Sequence, residues 1–99
     1  MLLRELAHSR AGDKGNVVTI SVIARRPEDY ALIEERVTAE GVTKFFSEFL
    51  CGPAERYTIP HLGALNFVLH RPETLAVTRS LSLDAHGKCL SSALLAMEI

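Results

Sequence analysis

The chain has 99 residues, 47% of them hydrophobic and 23% charged, which is room for one modest core that buries roughly 60–65% of the unfolded surface. This balance excludes a disordered chain, a collagen-like repeat and a disulfide scaffold. Eleven basic residues against twelve acidic ones give a net charge of −1, without the basic footprint of a nucleic-acid binder. Six aromatics and no Trp also argue against an aromatic binding surface.

The chain opens Leu2-Leu3-Arg4-Glu5-Leu6-Ala7-His8, a short apolar-leaning segment that reads as a strand, with no basic leader ahead of a long apolar stretch. No run approaches the ~18 apolar residues of a membrane span, so a cytoplasmic location without membrane contact is expected. Ser9 to Asn16 follows, with two glycines and four charged or amide groups around a single Ala; neither strand nor helix periodicity survives there, and the segment reads as a loop. Val17–Ala24 is β-branched almost throughout, with Val18, Ile20 and Val22 on one face and Thr19 and Ser21 on the other. It predicts a central strand.

Pro27 suits a first helical position, and Glu28 and Asp29 behind it suit the helix dipole. A helix over about 27–36 is expected, with Tyr30, Ile33 and Val37 as its apolar stripe. Thr38 can cap a second helix, with Val37 and Val42 placed as a hydrophobic staple. Val42, Phe45, Phe46, Phe49 and Leu50 then form the strongest helical pattern, predicted to bring four large side chains to the core before Gly52-Pro53 stops it.

Glu55 to Ile59 reads as a short strand ending at Pro60. Over 62–70, Leu62, Leu65 and Leu69 suit a helix, although the dense apolar run also suits a buried strand; the segment reads here as a helix. Val77 to Asp84 alternates as a strand, and Asp84-Ala85-His86-Gly87 supplies a turn. Leu90, Leu94 and Met97 close the chain on an amphipathic helix. This alternation packs as an α+β sandwich of ferredoxin-like type, one sheet with helices on one face, and residues 1–99 form a single domain.

Chemistry concentrates in one place. In His8-Ser9-Arg10-Ala11-Gly12-Asp13-Lys14-Gly15-Asn16 the glycines let backbone N–H groups approach a ligand, Arg10 and Lys14 supply cationic donors, and Ser9 and Asn16 supply neutral ones. Such a segment can hold a phosphate or carboxylate, or it can be a tight connection with solvated charges. It is not a Walker A loop, because the Gly-x-x-x-x-Gly-Lys-Ser/Thr pattern is absent. His8 can act as an acid or base near neutral pH, and Asn66, an amide in an apolar run, needs partners that the Ser9–Asn16 loop can supply. His8, His61, His70 and His86 form no i, i+2 or i, i+4 pair, and Cys51 and Cys89 lie far apart as two reduced, buried thiols, so no metal site is expected. Arg56, Arg71 and Arg79 are scattered singly and read as solvated or interfacial, and no nucleophile elbow is present.

The blocks Ala7-His8-Ser9-Arg10-Ala11-Gly12-Asp13-Lys14-Gly15-Asn16, Ala64-Leu65-Asn66-Phe67-Val68-Leu69 and Arg79-Ser80-Leu81-Ser82-Leu83-Asp84-Ala85-His86-Gly87-Lys88, with Ile23-Ala24-Arg25-Arg26-Pro27, resemble the small ferredoxin-fold domain of the acyclic-terpene-utilisation (AtuA) family, over nearly the whole chain. Arg71–Ala76 departs from the glycine-rich stretch usual there. The resemblance implies breakdown of branched or terpenoid acids as coenzyme A thioesters, with a larger AtuA-type protein as partner. His8, Ser9, Arg10, Asp13, Lys14, Asn16 and Asn66 match the family blocks and are the candidate anion or partner site, with no catalytic role carried over. The expected function is that of an accessory subunit or binding module, with no cofactor and a coenzyme A ester as the conceivable ligand. The alternatives are a small hydratase or isomerase of coenzyme A esters, using His8 or Asp13 as acid–base and Arg10 or Lys14 for an oxyanion, and a structural homo-oligomer.

Overall fold

A computed structural model describes residues 1–14, 17–47, 50, 52–70 and 87–99, with the backbone alone at 13, 14 and 87–89. Strands β1 (Ala7–Lys14) and β2 (Val17–Ala24) pair as an antiparallel hairpin, helices α1 (Tyr30–Arg36) and α2 (Ala39–Phe45) follow, strands β3 (Glu55–Ile59) and β4 (Ala64–His70) form a second hairpin, and helix α3 (Gly87–Leu95) comes last. The four-stranded sheet runs β1-β2-β4-β3, antiparallel at every junction. This is a ferredoxin-like α+β fold.

The core follows from strand periodicity. In β2, Val18, Ile20 and Val22 point to the helices, and in β4 Leu65, Phe67 and Leu69 do the same. Register places Ile20 opposite Phe67, Val22 opposite Leu65 and Val18 opposite Leu69, so the two central strands lay one continuous apolar floor. Ile33, Val37, Val42, Phe46, Leu90 and Leu94 cover it. Among the described residues every helix packs on this face.

The helix signals in the sequence are realised. Pro27–Asp29 is a single 3-10 turn leading into α1, whose stripe buries Ile33 and Val37 with Tyr30 packed beside them. Thr38 Oγ1 accepts the Gly41 N–H at 3.0 Å, capping α2, while Val37 and Val42 staple across the cap, both fully buried. The C-terminal end of α1 is closed from a distance: the Arg56 guanidinium donates to the carbonyls of Glu34 (2.6 Å) and Val37 (2.9 Å), groups that a helix end leaves unpaired. Arg56 is therefore a half-buried structural group with defined partners, because its strand register puts it opposite Phe67 on the helix side of the sheet.

Four expectations are corrected. The N-terminal strand begins only at Ala7, since Leu3–Glu5 is a 3-10 turn in which the Glu5 carboxylate accepts the Leu2 N–H. Ser9–Lys14 is strand rather than loop: pairing with Val17–Ala24 satisfies its backbone and overrides the weak propensity of Gly12 and Asp13. Residues 64–70 are strand rather than helix, because Leu65, Phe67 and Leu69 share a face at period two and Leu62 stands outside the element on a 3-10 turn, 64% exposed. Of the described residues in that pattern, Val42 on α2 and Phe46 just past its end are buried and Leu50 packs against the core, while Phe45 is 41% exposed. The helix stops at Phe45, well before Gly52-Pro53. The expected strand over 77–84, the turn at 84–87, Phe49, Arg71, Arg79, His86 and both cysteine side chains lie outside the described residues.

Truncating Phe67 to Ala should cost about 3–5 kcal/mol of unfolding free energy in urea denaturation, against about 1 kcal/mol for Thr38→Ala. Equal losses would contradict the floor-and-cap account.

Candidate functional site

Strand geometry splits the polar segment between two faces. Ser9 points to the helices and its Oγ donates to the Ser91 carbonyl on α3 at 2.8 Å, tying β1 to the helix above it. His8 and Arg10 alternate with it and stand exposed on the opposite face. Asp13 and Lys14 close the strand at register positions opposite Val18 and Val17; Asn16 and the Asp13 and Lys14 side chains lie outside the described residues. Of the candidate side chains that the structure describes, Ser9 thus lies on the helix side of the sheet and His8, Arg10 and Asn66 lie on the other.

The opposite face carries an arrangement that the sequence reading did not assemble. Register aligns Arg10 with Ser21, Ser21 with Asn66 and Asn66 with Tyr57, one residue from each strand in a single cross-strand row. At about 4.8 Å per strand the row spans roughly 14 Å. Asn66 finds its partner within it: the Ser21 hydroxyl donates to Asn66 Oδ1 at 3.2 Å. The Ser9–Asn16 segment was the expected partner, but β2 stands between the two. Arg10 has no hydrogen bond or ion pair among the described residues, and neither has the Asn66 amide nitrogen, so the row presents a guanidinium and an amide as unused donors. The next row runs Gly12, Thr19, Val68 and Glu55.

With this geometry in place, the family model described as the AtuA ferredoxin-like domain matches residues 1–99. The chain belongs to that family. No curated protein and no solved structure matches it. In this AtuA-family chain the resemblance blocks containing Arg10 and Asn66 meet on one sheet face, with Ser21 joining them. Among the described residues no three His, Cys, Asp or Glu side chains gather as metal ligands, and no helix is long and apolar enough to cross a membrane.

A second polar group stands on the same face, outside the candidates that the sequence suggests. The Tyr57 hydroxyl donates to Glu55 Oε1 at 2.7 Å, and His70 Nε2 lies 2.8 Å from Glu55 Oε2. The period-two alternation of Glu55–Ile59 was a usable signal for Glu55 with Tyr57, but His70 was hidden by reading its segment as a helix. The Tyr57 hydrogen bond, then the His70 bond, hold the Glu55 carboxyl below its ordinary range, and the same contact raises the Tyr57 hydroxyl. A depressed carboxyl favours the folded state above its unfolded pKa, and that contribution disappears as pH falls through the lower folded value.

In an NMR pH titration, Glu55 should have a midpoint below that of an unperturbed glutamate, and Tyr57→Phe should move it upward. An unchanged midpoint would contradict the bond. Ser9→Ala should lower stability by about 1 kcal/mol through the lost tie to α3, and an unchanged denaturation midpoint would show that the tie contributes nothing.

Proposed function

We propose that this chain is an accessory binding module that docks, through the sheet face opposite its helices, on a larger AtuA-type protein acting in breakdown of branched or terpenoid acyl-coenzyme A compounds in the cytoplasm. The observation that supports it is the Arg10–Ser21–Asn66–Tyr57 row. It is wide, it comes from four strands, and it offers an amide together with a guanidinium and a 51% exposed Tyr ring; Arg and Tyr are residue types prominent in protein interfaces. Carboxylates and backbone carbonyls of a partner are the groups that would take up the unused donors. In this reading the larger protein supplies most of the pocket for a coenzyme A ester, and the small module positions or completes it.

The enzymatic alternative would set His8 and Arg10 to work on a coenzyme A ester. Those two side chains share the face, Ser9 between them bonds to α3, and among the described residues they stand on an open surface. The docking reading is therefore preferred.

The test mixes this chain with the larger AtuA-type protein of the same source and measures complex formation by calorimetry and light scattering. A stoichiometric complex is expected, weakened roughly tenfold or more by Arg10→Glu or Asn66→Lys and unaffected by Glu28→Ala at the start of the α1 segment. Absence of a complex, or a complex indifferent to both face variants, would overturn the reading. Light scattering of the chain alone distinguishes a homo-oligomer.

A further inference from the structure

At the end of the sheet away from the β1–β2 connection, a cavity of about 380 Å³ lies between the end of β2, the start of the α1 segment and the Pro60–Leu62 turn. It lies three residues along the strands from the polar row, and the Ile23–Pro27 block supplies three of its lining residues, Ala24, Arg25 and Pro27. Its frame is tied down by main-chain bonds: Gly63, at φ 62° in the left-handed region, donates to the Pro60 carbonyl at 3.0 Å and accepts from the Ala24 N–H at 2.9 Å, and the Arg25 N–H reaches the Leu6 carbonyl at 2.8 Å. A non-glycine residue at position 63 would strain this corner.

The lining has a one-sided chemistry. Arg25 and His61 border the cavity, and no Asp or Glu is among the described residues that line it. Arg25 Nε donates to the Arg4 carbonyl at 3.2 Å. That bond steadies the guanidinium while its two terminal nitrogens keep no partner among the described residues, and those are the donors a carboxylate takes as a fork. His61 is likewise unpaired among the described residues. The remaining walls are apolar: Pro27, Pro60, the ring of Tyr30 and Leu62, a large aliphatic side chain left 64% exposed at the rim. The Tyr30 hydroxyl is turned to Glu34 at 3.2 Å, so the ring presents its apolar body.

We propose that this cavity binds a small organic monocarboxylate, its carboxylate on Arg25 and His61 and its apolar body against Tyr30, Pro60 and Leu62. The volume is in the range of small-molecule sites, and cationic donors at one side of an apolar hollow call for an anion with a compact hydrocarbon body. An inorganic anion would leave the apolar walls unused, and a neutral compound of the same shape would leave the guanidinium unused. This site is independent of the docking face and stands or falls without it.

The test uses the intact chain and cyclohexanecarboxylate as the probe, followed by amide NMR titration. Saturable binding in the millimolar range is expected, with shifts confined to Ala24, Arg25 and His61–Gly63. Cyclohexanecarboxamide, acetate and inorganic phosphate should each bind roughly tenfold more weakly. Arg25→Gln should lower affinity by a similar factor, and so should Leu62→Ser and His61→Ala, two variants that break no hydrogen bond of the fold and so report on the site even if Arg25→Gln fails to fold. Shifts scattered over the surface, equal binding of acid and amide, or affinity unchanged in Leu62→Ser and His61→Ala would overturn the proposal.

Discussion

Everything in this molecule depends on the register of β2 between β1 and β4. A strand alternates its side chains at a period of two, so a slip by one residue on either side would exchange the two faces completely. In the observed register Val18, Ile20 and Val22 meet Leu69, Phe67 and Leu65 beneath the helices, and by the same alternation Ser21 falls between Arg10 and Asn66 on the opposite face. The core and the polar row are two readings of one alignment. The apolar face specifies the alignment energetically, since exposing Ile20 and Phe67 would forfeit several kcal/mol of burial, and the polar face inherits it.

This dependence explains what was legible in the sequence and what was not. β2 announces itself because its β-branched residues alternate cleanly, and α1 and α2 do so through Pro27, Thr38 and the Val37–Val42 staple. β1 does not, because its strand character comes from its partner: Ser9, Gly12 and Asp13 carry little strand propensity of their own, and only cross-strand pairing holds them extended. β4 carries a misleading signal, because Leu62, Leu65 and Leu69 coincide with helical spacing although Leu62 belongs to the preceding turn. The site suffered accordingly. The division of Ser9 and Arg10 between two faces follows from a period that polar composition conceals, and the Ser21 partner of Asn66 is hidden in the sequence because strand order is a long-range property.

Long-range pairing also decides which cations are structural and which are free. Arg56, unremarkable in the sequence, closes the end of α1 across some twenty residues of chain, and Arg25 is steadied by the Arg4 carbonyl. Arg10 has no such tether among the described residues. Net charge gives no hint of this sorting; the fold makes it by choosing which side chains meet orphaned carbonyls. A chain of near-neutral charge thereby presents a cationic donor on its sheet face and another at the mouth of a separate cavity.

The most direct measurement of the central alignment is the pattern of side-chain nuclear Overhauser contacts across the sheet. The account predicts contacts from Arg10 to Ser21 and from Ser21 to Asn66, with Ser9 in contact with α3 and Arg10 not. Contacts from Arg10 to Leu90 or Leu94 of α3, with Ser9 beside Ser21 or Asn66, would mean that β1 presents the other face, and would contradict both the row and the docking surface built on it.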